Sequence, residues 1–343
     1  MNNSVQKKVI VAGGNPGQWH ANDRSFEAHL VNGVESWVFA LIAEYICEKN
    51  LTPNIIAKAD LLILNLNAIK EPERLRHVYD LLNNRPSHVQ VMLLLEGDMQ
   101  WYLQPLPYLQ QIFDASTIVN CINVHAESFI QSMTKTSVHT LGIPYPVHGV
   151  RGLVKPREQR SKTIHICPFL RMRRSEYQVA KQLNRPIRGF ERRLSIKAST
   201  LFTNLKQYGS MFNRDVNKQY MSSILNDPSI DIIYEEGFER YYSIVADSAL
   251  MLNFDERYTW GRHVLDAAAL DVPMISTVNT GHAQKLFPEL TIDSPFAIDQ
   301  ALDKAQKVLG DEAFAKQVSD YAWEQLQEYA PEKIVERMWK LLE

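Results

Sequence analysis

The chain has 343 residues, more than one ordinary hydrophobic core holds and enough for two. Its 37 Lys+Arg and 39 Asp+Glu side chains leave a formal charge of −2, and 45% of residues are hydrophobic against 22% charged. That balance excludes a disordered chain and argues against a permanent coat on nucleic acid, which needs a strong positive field, while leaving room for a local basic patch.

Cys47, Cys121 and Cys167 lie far apart, and two of them sit in apolar runs. They read as buried thiols in a reducing compartment, with neither a disulfide framework nor zinc spacing. The five-residue apolar run near the start is shorter than the roughly 7–15 residues of a signal peptide. No run reaches the roughly 20 apolar residues of a membrane span, so a cytoplasmic protein without stable membrane insertion is expected.

In chain order, residues 8–12 read as a first strand running into Gly13-Gly14. Residues 34–48 have helical spacing, 60–66 form an apolar run typical of a strand buried on both faces, and 71–82 form a helix with Pro72 in its first turn. A strand at 89–95, a helix at 106–113, a strand at 118–124, a helix at 127–133 and a short strand at 138–141 follow. Residues 142–149 are rich in Pro and Gly and 151–162 are polar and basic, which places a domain boundary near residue 155. Strands then read at 163–168, 231–234, 249–254 and 273–276, with helices at 217–225, 238–245, 260–270, 297–309, 313–328 and 331–342. The basic, poorly periodic stretch 185–208 receives no assignment. Such alternation implies parallel sheets with right-handed crossovers, in two α/β units separated by a cleft. Ligands of open α/β sheets bind beyond the carboxyl ends of the strands, so the residues there are the candidates.

Five groups stand at such ends. Thr259-Trp260-Gly261 opens a helix whose free N–H groups and dipole favour an anion such as phosphate, with Arg262 beside it. Asp266, one to two turns on, either accepts from a ribose diol or sits on a solvated face. Arg171 and Arg174, with Arg173 between them, follow the strand at 163–168 and offer planar forks to phosphate oxygens. Lys181, Arg192, Arg193 and Lys197 form a weaker basic reserve suited to an anionic acceptor or a membrane surface. Gly13 and Gly14 allow close backbone approach to a ligand, and His20 and Asp23 follow on the same segment, although neither G-x-G-x-x-G nor a P-loop is present. Glu96 and Asp98 end the strand at 89–95, where a carboxylate serves as a general base or merely closes a turn. His125 and Glu127 follow Asn123 at the end of the next strand.

The stretch 241–280 resembles the donor-binding segment of GT-B glycosyltransferases, especially the retaining, family 4-like type with a Glu-x7-Glu motif. In that type an aromatic-Gly pair precedes a helix and turn of the form V-L-E-A-x-A-x-G-x-P-V-I. Here stand Trp260-Gly261, Val264-Leu265-Asp266-Ala267-Ala268-Ala269 and Asp271-Val272-Pro273-Met274-Ile275. Asp266 matches the second Glu, which holds the nucleotide ribose in that family. Eight residues earlier stands Tyr258 in place of the first acid, with Asp255 and Glu256 nearby. The likeness covers the last third of the chain well and the first half in pattern only.

The resemblance implies two Rossmann-like domains facing across a cleft. Residues 1–155 would form the acceptor side and 156–325 the nucleotide-sugar side, with 326–343 a helix crossing back to the first domain. It implies metal-independent transfer of a sugar from a UDP- or GDP-type donor to an acceptor, with retention of configuration and no further cofactor. Gly13, Gly14, Arg171, Arg174, Tyr258, Thr259, Trp260, Gly261, Arg262 and Asp266 would bind the donor. Glu96, Asp98, His125 and His20 are the catalytic candidates. Three alternatives stay open: a nucleotide-sugar 2-epimerase-like enzyme, a non-catalytic nucleotide- or sugar-binding subunit, and a nucleic-acid-modifying glycosyltransferase using the basic stretch 185–193. The sugar, nucleobase, acceptor and oligomeric state are not fixed by the sequence.

Overall fold

Apolar runs of four to six residues bounded by helical segments become parallel strands, because each run is covered on both faces and has no solvent side on which polar residues would alternate. The computed structural model describes residues 7–13, 33–66, 71–166, 174–192, 227–235 and 238–343. The first half comprises β1 (Val9–Gly13), α1 (Gly33–Leu41), β2 (Glu44–Cys47), α2 (Pro53–Ile56), β3 (Leu61–Asn65), α3 (Pro72–Asn83), β4 (Gln90–Leu95), α4 (Leu109–Asp114), β5 (Ile118–Cys121), α5 (Val124–Ser132), β6 (Ser137–His139) and α6 (Val147–Arg151). The second comprises β7 (Ile164–Ile166), α7 (Arg174–Gln182), β8 (Ile187–Arg192), β9 (Ile230–Glu235), α8 (Phe238–Ala246), β10 (Leu250–Asn253), α9 (Arg262–Ala269), β11 (Met274–Thr277), α10 (Ala283–Leu286), β12 (Thr291–Ile292), α11 (Ile298–Gly310), α12 (Glu312–Leu326) and α13 (Pro331–Leu342).

Each half carries a six-stranded, all-parallel sheet, in the order β2-β1-β3-β4-β5-β6 and β9-β8-β7-β10-β11-β12. Strand order reverses between β1 and β3 in one sheet and between β7 and β10 in the other. Crossovers leave those two points on opposite faces, which opens a crevice beyond the carboxyl ends. Every residue of β3 and of β10 is buried.

Two stretches depart from the sequence reading. The helix expected over 34–48 stops at Leu41, because Ile42 takes the left-handed region at φ 52° and Ala43 N–H bonds back to the Val38 carbonyl at 2.9 Å. The chain leaves that turn as edge strand β2. The unassigned basic stretch contains β8, whose Ile187-Arg188-Gly189 run is held by parallel pairing on both sides and not by its own periodicity. The helix expected at 217–225 lies outside the described residues.

The polar segment 151–162 is docked rather than loose. Arg157 and Arg160 both bond the Asp271 carboxylate at 2.8–2.9 Å, and Lys155 and Ser161 bond Asp247. Burial pushes the Asp247 carboxyl up, but bonds from Lys155, Arg188 and Ser161 outweigh it and hold it down at about 2. Helix α13 buries Ile334, Met338 and Leu342 and packs on α1 of the first half. There Gln90 donates to the Leu342 carbonyl, and Lys7 lies 4.5 Å from the Trp339 ring centre. No helix of the described residues is long and apolar enough to cross a membrane.

Candidate functional site

The carboxyl edge of the first sheet supplies Gly13, Asn65 and Glu96. A Cβ at Gly13 would lie 2.8 Å from Val34 Cγ2, so glycine is what lets β1 run against the start of α1. Glu96 stands immediately beyond β4. Its Oε1 accepts from Gly33 N at the start of α1 (2.9 Å) and its Oε2 from Asn65 Nδ2 at the end of β3 (2.6 Å). Burial raises the Glu96 pKa, and the two hydrogen bonds and the Arg262 guanidinium of the other half work against it. A carboxyl so placed is an acid–base candidate on electrostatic grounds. Gly97, at φ 101°, turns the chain away. Asp98 is spent locally, capping the turn Met99–Leu103 through Gln100 N at 3.1 Å. Glu127 likewise accepts from Thr140 Oγ1.

The facing edge supplies the loop between β10 and α9 and the loop after β11. Asp255 folds the first loop by accepting from Arg257 N, Nε and Nη2, while Thr277 Oγ1 donates to the Asp255 carbonyl. Trp260 is 7% exposed and meets the His282 ring edge-on at 5.6 Å. Gly261 enters α9 at φ 73°, where a Cβ would lie 3.0 Å from Thr280 Cβ. The first-turn N–H groups of α9 and the Arg262 guanidinium form the positive end of this edge.

Asp266 points inward. It is 1% exposed; Tyr145 Oη (2.7 Å) and Tyr242 Oη (3.1 Å) donate to its Oδ1 and Tyr241 Oη (3.2 Å) to its Oδ2. Arg262 Nε lies 3.8 Å from Oδ1 and His263 Nδ1 lies 3.8 Å from Oδ2. Burial and the neighbouring carboxylate raise the Tyr145 and Tyr242 pKa values, so both phenols stay protonated donors. Tyr145 comes from the segment leaving the first half, so this hub joins the halves beneath the cleft.

The structure thus brings Glu96, Arg262, Asp266 and the Tyr258–Gly261 loop together. His125 is exposed at the rim, its Nε2 3.0 Å from the Val278 carbonyl oxygen and its ring 6.2 Å from that of Tyr258. Arg174 is the first residue of α7 and Arg192 the last of β8. Lys181 sits at the far, amino edge of the second sheet, bonded to Asp227 and Ser229. Gly14, His20, Asp23, Arg171, Arg193 and Lys197 lie outside the described residues. Sequence reasoning missed Asn65, Tyr145 and the Tyr241-Tyr242 pair. Asn65 carried a signal, as the one polar side chain near the end of an apolar run. The tyrosines carried none, because an aromatic pair on a helix reads equally well as core.

No protein-family model matches the chain, and no curated protein matches it. Solved structures do. A sucrose-phosphate synthase from Thermosynechococcus elongatus superposes with a TM-score of 0.66 at 12% identity, covering 98% of each chain. An α,α-trehalose 6-phosphate synthase from Burkholderia multivorans gives 0.64 at 10% identity, again over 98% of each. An α-glucosyltransferase in complex with UDP-glucose and DNA containing an abasic site gives 0.61 at 11% identity, over 98% of this chain and 100% of that one. At these identities the likeness establishes architecture: the chain has the two-domain α/β GT-B fold, its two parallel sheets facing across the crevice in which Glu96 and Arg262 meet.

Proposed function

We propose that the chain is a glycosyltransferase that moves a sugar from a nucleotide-diphosphate sugar, of UDP or GDP type, to an acceptor hydroxyl. The observation that carries this reading is the facing of the two carboxyl edges, with the Glu96 carboxyl, anchored by Gly33 N and Asn65 Nδ2, on one side and a fixed positive charge (Arg262 and the start of α9) on the other. As the bond between sugar and diphosphate breaks, negative charge grows on the departing oxygen. Donors already aimed there stabilise it without reorganisation. Arg171, Arg174, Gly13 and Gly14 are the further donor contacts in this reading, and the Tyr258–Gly261 loop shapes the pocket.

Asp266 acts here chiefly through Arg262 and the three phenols. A ribose diol reaches its carboxylate by displacing one of them, and the Tyr241 bond, at 3.2 Å, is the longest. In the retaining course that the resemblance implies, the leaving diphosphate takes the acceptor proton and Glu96 orients the acceptor hydroxyl, with His125 and His20 as further catalytic candidates. The solved structures of the same fold that hold UDP or UDP-glucose support the choice of donor.

A thermal-shift screen against UDP, GDP and their glucose conjugates tests the reading. A nucleotide present at one hundred times its Kd stabilises by about 2.7 kcal/mol, a shift of about 4 °C in a chain of this size. Arg262→Ala should lose most of that shift. No shift with any nucleotide, or an undiminished one in Arg262→Ala, would remove the donor site from this crevice.

A further inference from the structure

Asn123, in the turn between β5 and α5, joins the two halves as well as ending a strand. Its side chain is wholly buried. Its Oδ1 accepts from His125 N at 3.0 Å and so caps α5. Its amide nitrogen reaches across the crevice and donates to two carbonyls of the second half, Thr259 O and Asn279 O, both at 2.8 Å. One side chain therefore ties together the loop before α9 and the loop after β11. Those loops are also bonded to each other, through Gly281 N to Thr259 O at 3.1 Å.

The fit around the amide is close. A Cβ at Gly281 would lie 3.3 Å from Asn123 Nδ2 and 3.4 Å from its Cα, so a glycine in the second half is what admits Asn123 of the first. Met99 N donates to Tyr258 O at 2.9 Å and extends the same seam by one residue. Backbone carbonyls as sole acceptors make the contact specific for a neutral double donor. An amide supplies that, and neither a carboxylate nor a hydroxyl does.

We propose that Asn123 is the latch that holds the two halves in register and fixes the Tyr258–Gly261 loop against the first half, a positioning residue for the donor site. Its effect on donor binding rests on the function proposed above; its effect on the geometry of the seam does not. The latch and the cap are separable, because Asp caps a helix as well as Asn does but has no hydrogens to give the carbonyls. Asn123→Asp thus keeps the α5 cap and sets a negative charge against two carbonyl oxygens.

The test is hydrogen–deuterium exchange and small-angle scattering on the full chain, with UDP titrations beside them. In Asn123→Asp we expect exchange at 258–261 and 279–281 to quicken about ten- to a hundredfold, a larger radius of gyration, unchanged exchange in β3, β4 and α5, and at least tenfold weaker UDP binding. Gly281→Ala, which leaves the amide intact but spoils the fit, should move the seam in the same direction by less. Unchanged seam exchange and dimensions in Asn123→Asp would overturn the latch. So would faster exchange spread evenly through the first half, since that reports a lost cap or a misfolded domain. If UDP fails to bind the unaltered chain, the donor reading falls while the seam measurements still decide the latch.

Discussion

Glu96 is held by one backbone and one side-chain donor in a place where burial favours its proton. Two donors alone would lower a carboxyl pKa, so the upward shift means that desolvation outweighs both and the Arg262 field. A raised pKa moves the acid limb of the pH–rate profile above the ordinary carboxylate range. We predict that Glu96→Gln, which removes the ionisable group that orients the acceptor hydroxyl, lowers kcat by about 10²-fold and removes that limb from kcat/KM. Transfer at the unaltered rate with the limb intact would assign the limb to another group. Glu96 was legible as an acid at a strand end. What distinguishes it from Asp98, two residues on, was not legible, because Asp98 closes its own turn through Gln100 N while Glu96 reaches Gly33 and Asn65.

At the scale of elements, α9 shows how a turn and a helix share a task. Gly261 sits in the left-handed region against Thr280, and the helix ends on Asp271, itself left-handed at φ 60°. In the related motif that last position is glycine. Here the aspartate carboxylate is tied down by Arg157 and Arg160, which holds the strained turn in place. Gly261→Ala meets both a disfavoured φ and a close neighbour, and should destabilise the chain by about 1–2 kcal/mol. A melting temperature unchanged from the parent would show that the entry to α9 relaxes without strain. The periodicity of 241–280 made these elements readable within a residue or two. Edge strand β2 and inner strand β8 were not readable, because their order comes from parallel neighbours distant in sequence and their residues, Glu44-Tyr45 and Arg188-Gly189 among them, carry no apolar run.

At the scale of the whole molecule, two imidazoles among the described residues are sealed inside. His165 in β7 and His282 between Trp260 and Tyr329 are both held down to about 3 by burial, with His263 and Arg188 adding to the first and Lys285 to the second. Unfolded, each takes a proton near 6.5. The unfolded chain therefore binds more protons between pH 6.5 and 3, and stability falls as pH drops through that window. From pH 6.5 to 5 each histidine should remove about 2 kcal/mol. Glu96, with its raised pKa, works in the opposite sense, while Asp247 and Asp271, held low, act only below their unfolded values near 3.8. Comparing His165→Leu with the parent isolates one share: its unfolding free energy should fall about 2 kcal/mol less over that interval. Parallel curves would mean that His165 protonates without unfolding. The two-sheet plan was legible from alternating runs alone. The register of the halves was not, since it rests on Asn123, Tyr145 and Met99, whose partners lie more than a hundred residues away.

In the proposed function a nucleotide diphosphate binds between the edges, against the start of α9. Hydrogen exchange of the full chain with and without saturating UDP measures it most directly. We expect slowed exchange at residues 259–264 and at the start of α1, with no change along the amino edge of the second sheet around Arg185 and Ser229. Protection confined to that far edge, or none in the crevice under conditions where UDP binds, would contradict it.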